Sequence, residues 1–142
     1  MDVRAACDGD RLRVVALLRD SHVAAGFTFP FRAAVAESLF KQHAEAADAC
    51  CLVLGSPAVG LLMARCFEHP FGAGKWANET VWFIDPSARG RSALAMLAAY
   101  EVWAQAAGCN AIGMATMASH DVSALYRRRG FAAAETHFIK AI

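Results

Sequence analysis

The chain has no excess of either charge, no long apolar run, no low-complexity tract and few prolines. Its 14 Lys and Arg stand against 13 Asp and Glu, a net charge of +1. A general nucleic-acid binder would carry a basic excess, so that class is excluded. No apolar stretch is long enough to span a bilayer as a helix. The opening residues, MDVRAACDGDRLR, put charges where a secretory leader needs an apolar run. With no linker-like tract and no internal repeat, residues 1–142 read as one domain. The 5 cysteines are scattered and odd in number, unlike a secreted disulfide framework. The expectation is a reduced, cytoplasmic chain. Cys50, Cys51, Cys66 and His69 do not make a zinc site, because adjacent residues of a strand point to opposite faces. No metal is expected.

What is present is material for a core: 57% of residues are hydrophobic and only 19% charged. DVRAA (2–6) reads as a first strand. Asp8 is placed to cap a helix through about Asp20, with Leu12, Val15 and Leu18 on one side. Gly26 and Pro30 break the chain around Phe27, Phe29 and Phe31, and a second helix runs from about Pro30 to Glu45. Two β-rich runs flank Gly55-Ser56-Pro57 as a hairpin. After a loop at 69–75 comes a strand at 76–84. A long helix follows over about 91–107, with Ala93, Met96, Leu97, Tyr100, Trp103, Ala104 and Ala107 on one face and Gly108 at its end. NAIGMAT (110–116) reads as a strand, DVSALYRR as a short helix ending at Gly130, and FAAAETHFIKAI as one or two final strands. Strand, helix and strand make a βαβ unit, so the strands at 76–84 and 110–116 should be parallel.

Two segments carry chemistry. In WFIDPSARGRSALAML a strand and a turn lead into the long helix, whose first N–H groups lack intrahelical partners and whose dipole is positive at that end. Arg89 and Arg91 flank it, and Gly90 and Ser92 keep it uncluttered. That arrangement suits a pyrophosphate. About thirty residues on, ALYRRRGF presents Tyr126 on a short helix ending at Gly130. A phenol there is either packing or a proton donor.

In this order and spacing the two segments resemble the GNAT superfamily of N-acetyltransferases, and the resemblance covers nearly the whole chain. The strand ending in I-D-P, the R-G-x-x-A helix and the final L-Y-x-x-x-G-F carry it. It looks closest to small bacterial and phage-like members, through Trp103-Ala104 to Gly108-Cys109 and the terminal Phe138, Lys140 and Ile142. The resemblance implies an α/β fold with a mixed, mostly antiparallel sheet, a splayed parallel strand pair and helices on both faces. It implies acetyl-CoA as cosubstrate, its pyrophosphate on the N–H groups of Arg89, Gly90, Arg91, Ser92, Ala93 and Leu94. The backbone of Trp82, Phe83 and Ile84 would pair with the pantetheine arm. An acceptor amine would attack the thioester directly, with Tyr126 protonating the departing thiolate and a backbone N–H holding the developing oxyanion. The alanine-rich face of helix 91–107 and the apolar tail FIKAI predict a homodimer, as is frequent in the family, with that helix or the C-terminal strand near the interface.

Glu79 opens ETVWFI on the strand facing the cofactor, where some members keep a catalytic glutamate; otherwise it is a solvent-facing strand carboxylate. Glu68, His69, His120 and His137 are reserve bases. Ser119 stands where the family often has an asparagine. The loop departs from the family pattern at Ser92 and Leu94, which occupy small-residue places. That leaves open a non-catalytic acyl-CoA-binding protein on the same fold. Arg127, Arg128 and Arg129 read as a solvated helix end, or as a contact for the 3′-phosphate of CoA. Phe27 and Phe29 are candidates for walling the acceptor pocket.

Overall fold

The computed structural model describes all residues, 1–142. Five strands form one sheet in sequence order: β1 (Val3–Ala5), β2 (Ala49–Leu54), β3 (Gly60–Glu68), β4 (Lys75–Ile84) and β5 (Ala111–Gly113). β1 to β4 pair antiparallel, and β5 lies parallel to β4. Parallel neighbours need a crossover, and α3 (Arg91–Ala106) supplies it. α1 (Arg11–Ala25) and α2 (Ala33–Glu45) cover the opposite face, and α4 (Ser123–Arg128) follows β5.

Strand alternation divides the core into two layers. Cys51, Val53, Leu61 and Met63 face α1 and α2, packing on Val14, Leu17 and Phe40. Cys50, Leu52, Leu54, Leu62 and Ala64 face α3, packing on Met96, Tyr100 and Ala104. This is why β2 and most of β3 read as unbroken apolar runs: both faces are covered. Each leucine buried this way stabilises the fold by about 1.5–3 kcal/mol. At the start of α1, Arg4 grips Asp10 with two bonds, at 2.7 and 2.8 Å, tying β1 to the helix. The end of α3 is fixed by Gly108 at φ 86° and by Lys75 Nζ donating to the Ala107 carbonyl at 2.8 Å. No helix is long and apolar enough to cross a membrane.

Several boundaries differ from those the sequence predicts. α1 runs to Ala25, not Asp20, and Asp8 lies in a short 3₁₀ turn (Asp8–Asp10) ahead of it. Asp10, not Asp8, accepts the preceding Cys7 N–H. Leu12 is exposed, and Val14 and Leu17 take the core side in its place. α2 begins at Ala33, because Pro30 stays in the connecting loop. β5 is only three residues long, so the strand expected at 110–116 is cut short. The largest correction concerns the tail. FAAAETHFIKAI forms no strand, and Phe138 is 92% exposed. Its alternation suits a strand, yet β5 leaves only a three-residue edge for it to pair with.

Candidate active site

β4 and β5 pair only at Trp76–Ala111, Ala77–Ile112 and Asn78–Gly113. Beyond Asn78, β4 continues to Ile84 without a strand partner on that side, so the sheet opens into a wedge. The opening coincides with a break in register on the other edge. Met63 faces Val81 while Ala64 faces Glu79, leaving Thr80 as an extra residue in β4. Such a bulge bends its strand and raises the local twist.

Side chains take over where the ladder stops. Glu79 Oε1 accepts the Ala115 N–H at 3.0 Å. Tyr126 Oη donates to the Ala115 carbonyl at 2.5 Å. Tyr100 Oη donates to the Gly113 carbonyl at 3.1 Å. A carboxylate and a phenol therefore hold the two ends of one residue at the mouth of the wedge. The Tyr126 ring is buried, 6.0 Å from the Trp82 ring and 5.6 Å from Phe131. The Trp82 Nε1–H is buried with no acceptor.

These surroundings set the proton affinities. Burial pushes the Glu79 carboxyl up to about 7, against the lowering effect of the Ala115 N–H. Burial, and then the Glu79 charge, push the Tyr126 phenol above its ordinary value. Burial likewise raises Tyr100, with Cys50 and Glu79 adding to it. A carboxyl near neutrality and a phenol that keeps its proton, both bonded to Ala115, have proton affinities of the kind general acid–base chemistry draws on.

The strand-to-helix loop lies at the far end of β4. Gly90 adopts φ 117°, ψ −126°, a conformation that side-chain-bearing residues rarely reach. Arg91 is exposed at the first position of α3. Arg89 Nε donates to the Ile84 carbonyl at 3.0 Å, and its guanidinium lies 5.8 Å from the Phe83 ring. Ser92 Oγ donates back to the Ala88 carbonyl, Ala93 N–H to Gly90, and Leu94 is part-exposed on the first turn. The Phe83 and Ile84 side chains are buried on opposite faces of the sheet, so what β4 offers the wedge there is backbone. Helix N-terminal N–H groups, two guanidinium groups and an orphan indole N–H suit an anionic, amide-bearing ligand.

The other sequence candidates fall elsewhere. Ser119 and His120 are exposed in a turn closed by the Met117–His120 bridge. Glu68 and His69 lie at the β3–β4 connection, at the paired end of β4; His69 packs on Trp76 at 4.4 Å. His137 is in the exposed tail beside Glu135. Phe27 and Phe29 stack at 4.8 Å with His22 against them. Arg129 pairs with Glu101 of α3 at 3.0 Å, while Arg127 and Arg128 stay exposed. No three His, Cys, Asp or Glu side chains gather as a metal site. Cys66 and Cys109 are free thiols whose sulfurs lie 3.4 Å apart. Sequence reasoning assigned Tyr100 only to a helix face and missed its hydroxyl; it also missed His43, Thr80 and Ala115. A tyrosine amid the alanines of α3 was the one available signal.

No curated protein matches the sequence. Solved structures do match in fold. A predicted acetyltransferase with acetyl-CoA from Clostridium acetobutylicum has a TM-score of 0.80 at 14% identity, covering 99% of this chain and 95% of that one. A ribosomal-protein-alanine N-acetyltransferase from Brucella melitensis has a TM-score of 0.74 at 15% identity, covering 100% of each chain. An aminoglycoside antibiotic 6′-N-acetyltransferase from Acinetobacter haemolyticus has a TM-score of 0.74 at 20% identity, covering 100% of this chain and 99% of that one. These likenesses establish the fold. A sequence profile of the Acetyltransferase (GNAT) family matches residues 13–131, from α1 through the wedge to the end of the LYRRRGF segment. The chain therefore belongs to the GNAT acetyltransferase family.

Proposed function

We propose that the protein is an acyl-CoA N-acyltransferase that moves an acetyl group from acetyl-CoA to an amine by direct attack in a ternary complex. The convergence of Glu79 and Tyr126 on Ala115, where β4 and β5 part, carries this reading. Acetyl-CoA supplies an acyl group already activated as a thioester. The N-terminus of α3, with Arg89 and Arg91, holds the pyrophosphate over Gly90, Ser92, Ala93 and Leu94. The backbone of Trp82 to Ile84, without a strand partner on the wedge side, aligns the pantetheine arm. Glu79 takes the proton lost by the attacking amine. Tyr126 turns from the Ala115 carbonyl and gives its proton to the sulfur that leaves. Ser119, exposed on the turn after β5, is a further contact for the cofactor.

The test of the binding half is the double variant Arg89→Ala, Arg91→Ala. Charge-assisted bonds to phosphate contribute about 1.5–3 kcal/mol each where they form. CoA affinity, measured by calorimetry, should fall at least ~10-fold, because 1.4 kcal/mol is a factor of ten. Unchanged affinity would remove this loop as the phosphate site. The test of the chemical half is release of free thiol from acetyl-CoA with a panel of amines. CoA binding without turnover would instead mark an acyl-CoA-binding protein. That second reading is favoured by one observation: Leu94, part-exposed on the first turn of α3, stands where the family pattern has a small residue and the phosphate would approach.

The same reading includes a homodimer in the cytoplasm. Phe138, Ile139 and Ile142 project from the tail, and Val102 is exposed on α3. Exposed apolar surface of this kind favours association. Light scattering across micromolar concentrations should return twice the chain mass, and a monomeric mass throughout would remove the dimer.

A further inference from the structure

We propose that His43 is a positioning residue for the active site: from the opposite face of the sheet it holds Thr80, the extra residue of the β4 bulge, and so fixes where Glu79 points. The proposal rests on the reading of Glu79 as the base.

His43 lies on α2 and is 1% exposed, yet both ring nitrogens are engaged. Nδ1 is 2.8 Å from the Leu39 carbonyl, one turn back. A carbonyl only accepts, so Nδ1 carries the hydrogen and Nε2 of the neutral ring is an acceptor. Thr80 Oγ1 lies 2.7 Å from Nε2, so its hydroxyl donates. The neutral form suits the site. Burial pushes the imidazole below its ordinary value, with Arg65 adding to this, and the Leu39 carbonyl and Asp48 oppose it. The bond therefore persists at neutral pH.

The bond grips the one residue of β4 with no partner in β3. Below it, Ala64 faces Glu79 on the α3 side; above it, Met63 faces Val81 on the α2 side. A bulge that slips by one residue turns the side chains it passes to the other face. A slip toward the N-terminus of β4 would take Glu79 out of the wedge and away from Ala115. The ladder alone does not fix the position, because β5 stops pairing at Asn78. A hydroxyl anchored from α2 does.

The test uses the full chain and two readouts. Thr80→Val keeps the side-chain shape and removes the hydroxyl; Thr80→Ser keeps the hydroxyl; His43→Gln offers an acceptor in place of Nε2. Glu79 is titrated by carbon-13 NMR on glutamate-labelled protein, its signal assigned with Glu79→Gln. The titratable groups that feel its charge are Tyr100 from α3 and Tyr126 from α4, both protonated through the range. In Thr80→Val the Glu79 midpoint should move from about 7 toward the ordinary carboxylate value. The expected size is about one pH unit or more, as the carboxyl gains solvent. Acetyl transfer should lose ~10-fold in kcat with KM for acetyl-CoA little changed. Thr80→Ser should restore both, and His43→Gln should restore at least the titration. A folded Thr80→Val protein with an unmoved Glu79 midpoint would overturn the proposal and leave His43 as a satisfied core histidine. The NMR readout needs no turnover. A chain that titrates as expected but transfers no acetyl group would fail the proposed function and not this placement.

Discussion

Glu79→Gln should nearly abolish acetyl transfer and at the same time make the protein more stable at pH 8. The two effects share one cause, the burial that pushes this carboxyl up to about 7. Below the ordinary carboxylate range both folded and unfolded chains hold the proton, and no pH-dependent cost exists. As pH rises from about 4.5 to about 7, the unfolded chain releases the proton first. Stability is therefore lost over that window and stays lost above it, by as much as about 3 kcal/mol. Glutamine carries no charge to desolvate and keeps an oxygen for the Ala115 N–H. Its melting temperature should exceed that of the wild type at pH 8 by roughly 5–10 °C, and the gap should close near pH 4.5. Catalysis moves the other way. Wild-type turnover should rise with pH through about 7 and level off, because only the carboxylate accepts a proton. The variant should be ~10²–10⁴-fold slower and flat across that range. A stability gain without loss of turnover would assign Glu79 to the wedge's structure and send the search for a base elsewhere.

Where the sequence led to the structure, the signals were local. Gly55-Ser56-Pro57 between apolar runs marked the β2–β3 hairpin, and the αL glycine at 108 marked the end of α3. The β4–α3–β5 order required the parallel pair that the sheet contains. Glu79 and Tyr126 could be picked out from spacing and resemblance, but their meeting at Ala115 could not. It depends on where β5 stops pairing, and that length is set by tertiary fit and not by the composition of NAIGMAT. His43 was hidden for a similar reason. Its partner lies on β4, and the bond matters only because a bulge falls at that residue. The tail failed in the opposite sense. FIKAI has the alternation of a strand, but alternation creates no partner edge, and the tail lies exposed. Leu12 shows the same limit on a helix: Val15 and Leu18 are buried as their spacing predicts, but Leu12, on the first turn, faces solvent while Val14 joins the core.

Tyr126→Phe is expected to lower kcat by ~10²–10⁴-fold while leaving acetyl-CoA binding nearly intact. The ring is the larger part of what this residue gives to the fold. It is buried against Trp82 and Phe131, and phenylalanine keeps those contacts. What phenylalanine lacks is the hydroxyl, which donates to the Ala115 carbonyl at 2.5 Å. Losing a single hydrogen bond of this kind costs about 0.5–1.5 kcal/mol, a modest fall in melting temperature. A residue that only packs would show that fall and near-normal turnover. A proton donor would show the fall in rate as well, because a leaving thiolate with no acid beside it must depart charged. The phenol suits this role, since burial and the Glu79 charge hold its proton on well above the ordinary phenol range. It therefore stays loaded across the pH range in which Glu79 gives up its own, and both groups are ready together above about 7. The proton is needed only in the transition state, so the loss should fall on kcat and spare KM. An acetyl donor with a leaving thiol of much lower pKa sharpens the test. A thioester whose thiolate departs easily, such as an acetylated thiophenol analogue, should partly rescue Tyr126→Phe and do little for Glu79→Gln. Equal rescue of both variants, or turnover of Tyr126→Phe within a few-fold of wild type, would reject the phenol as the acid.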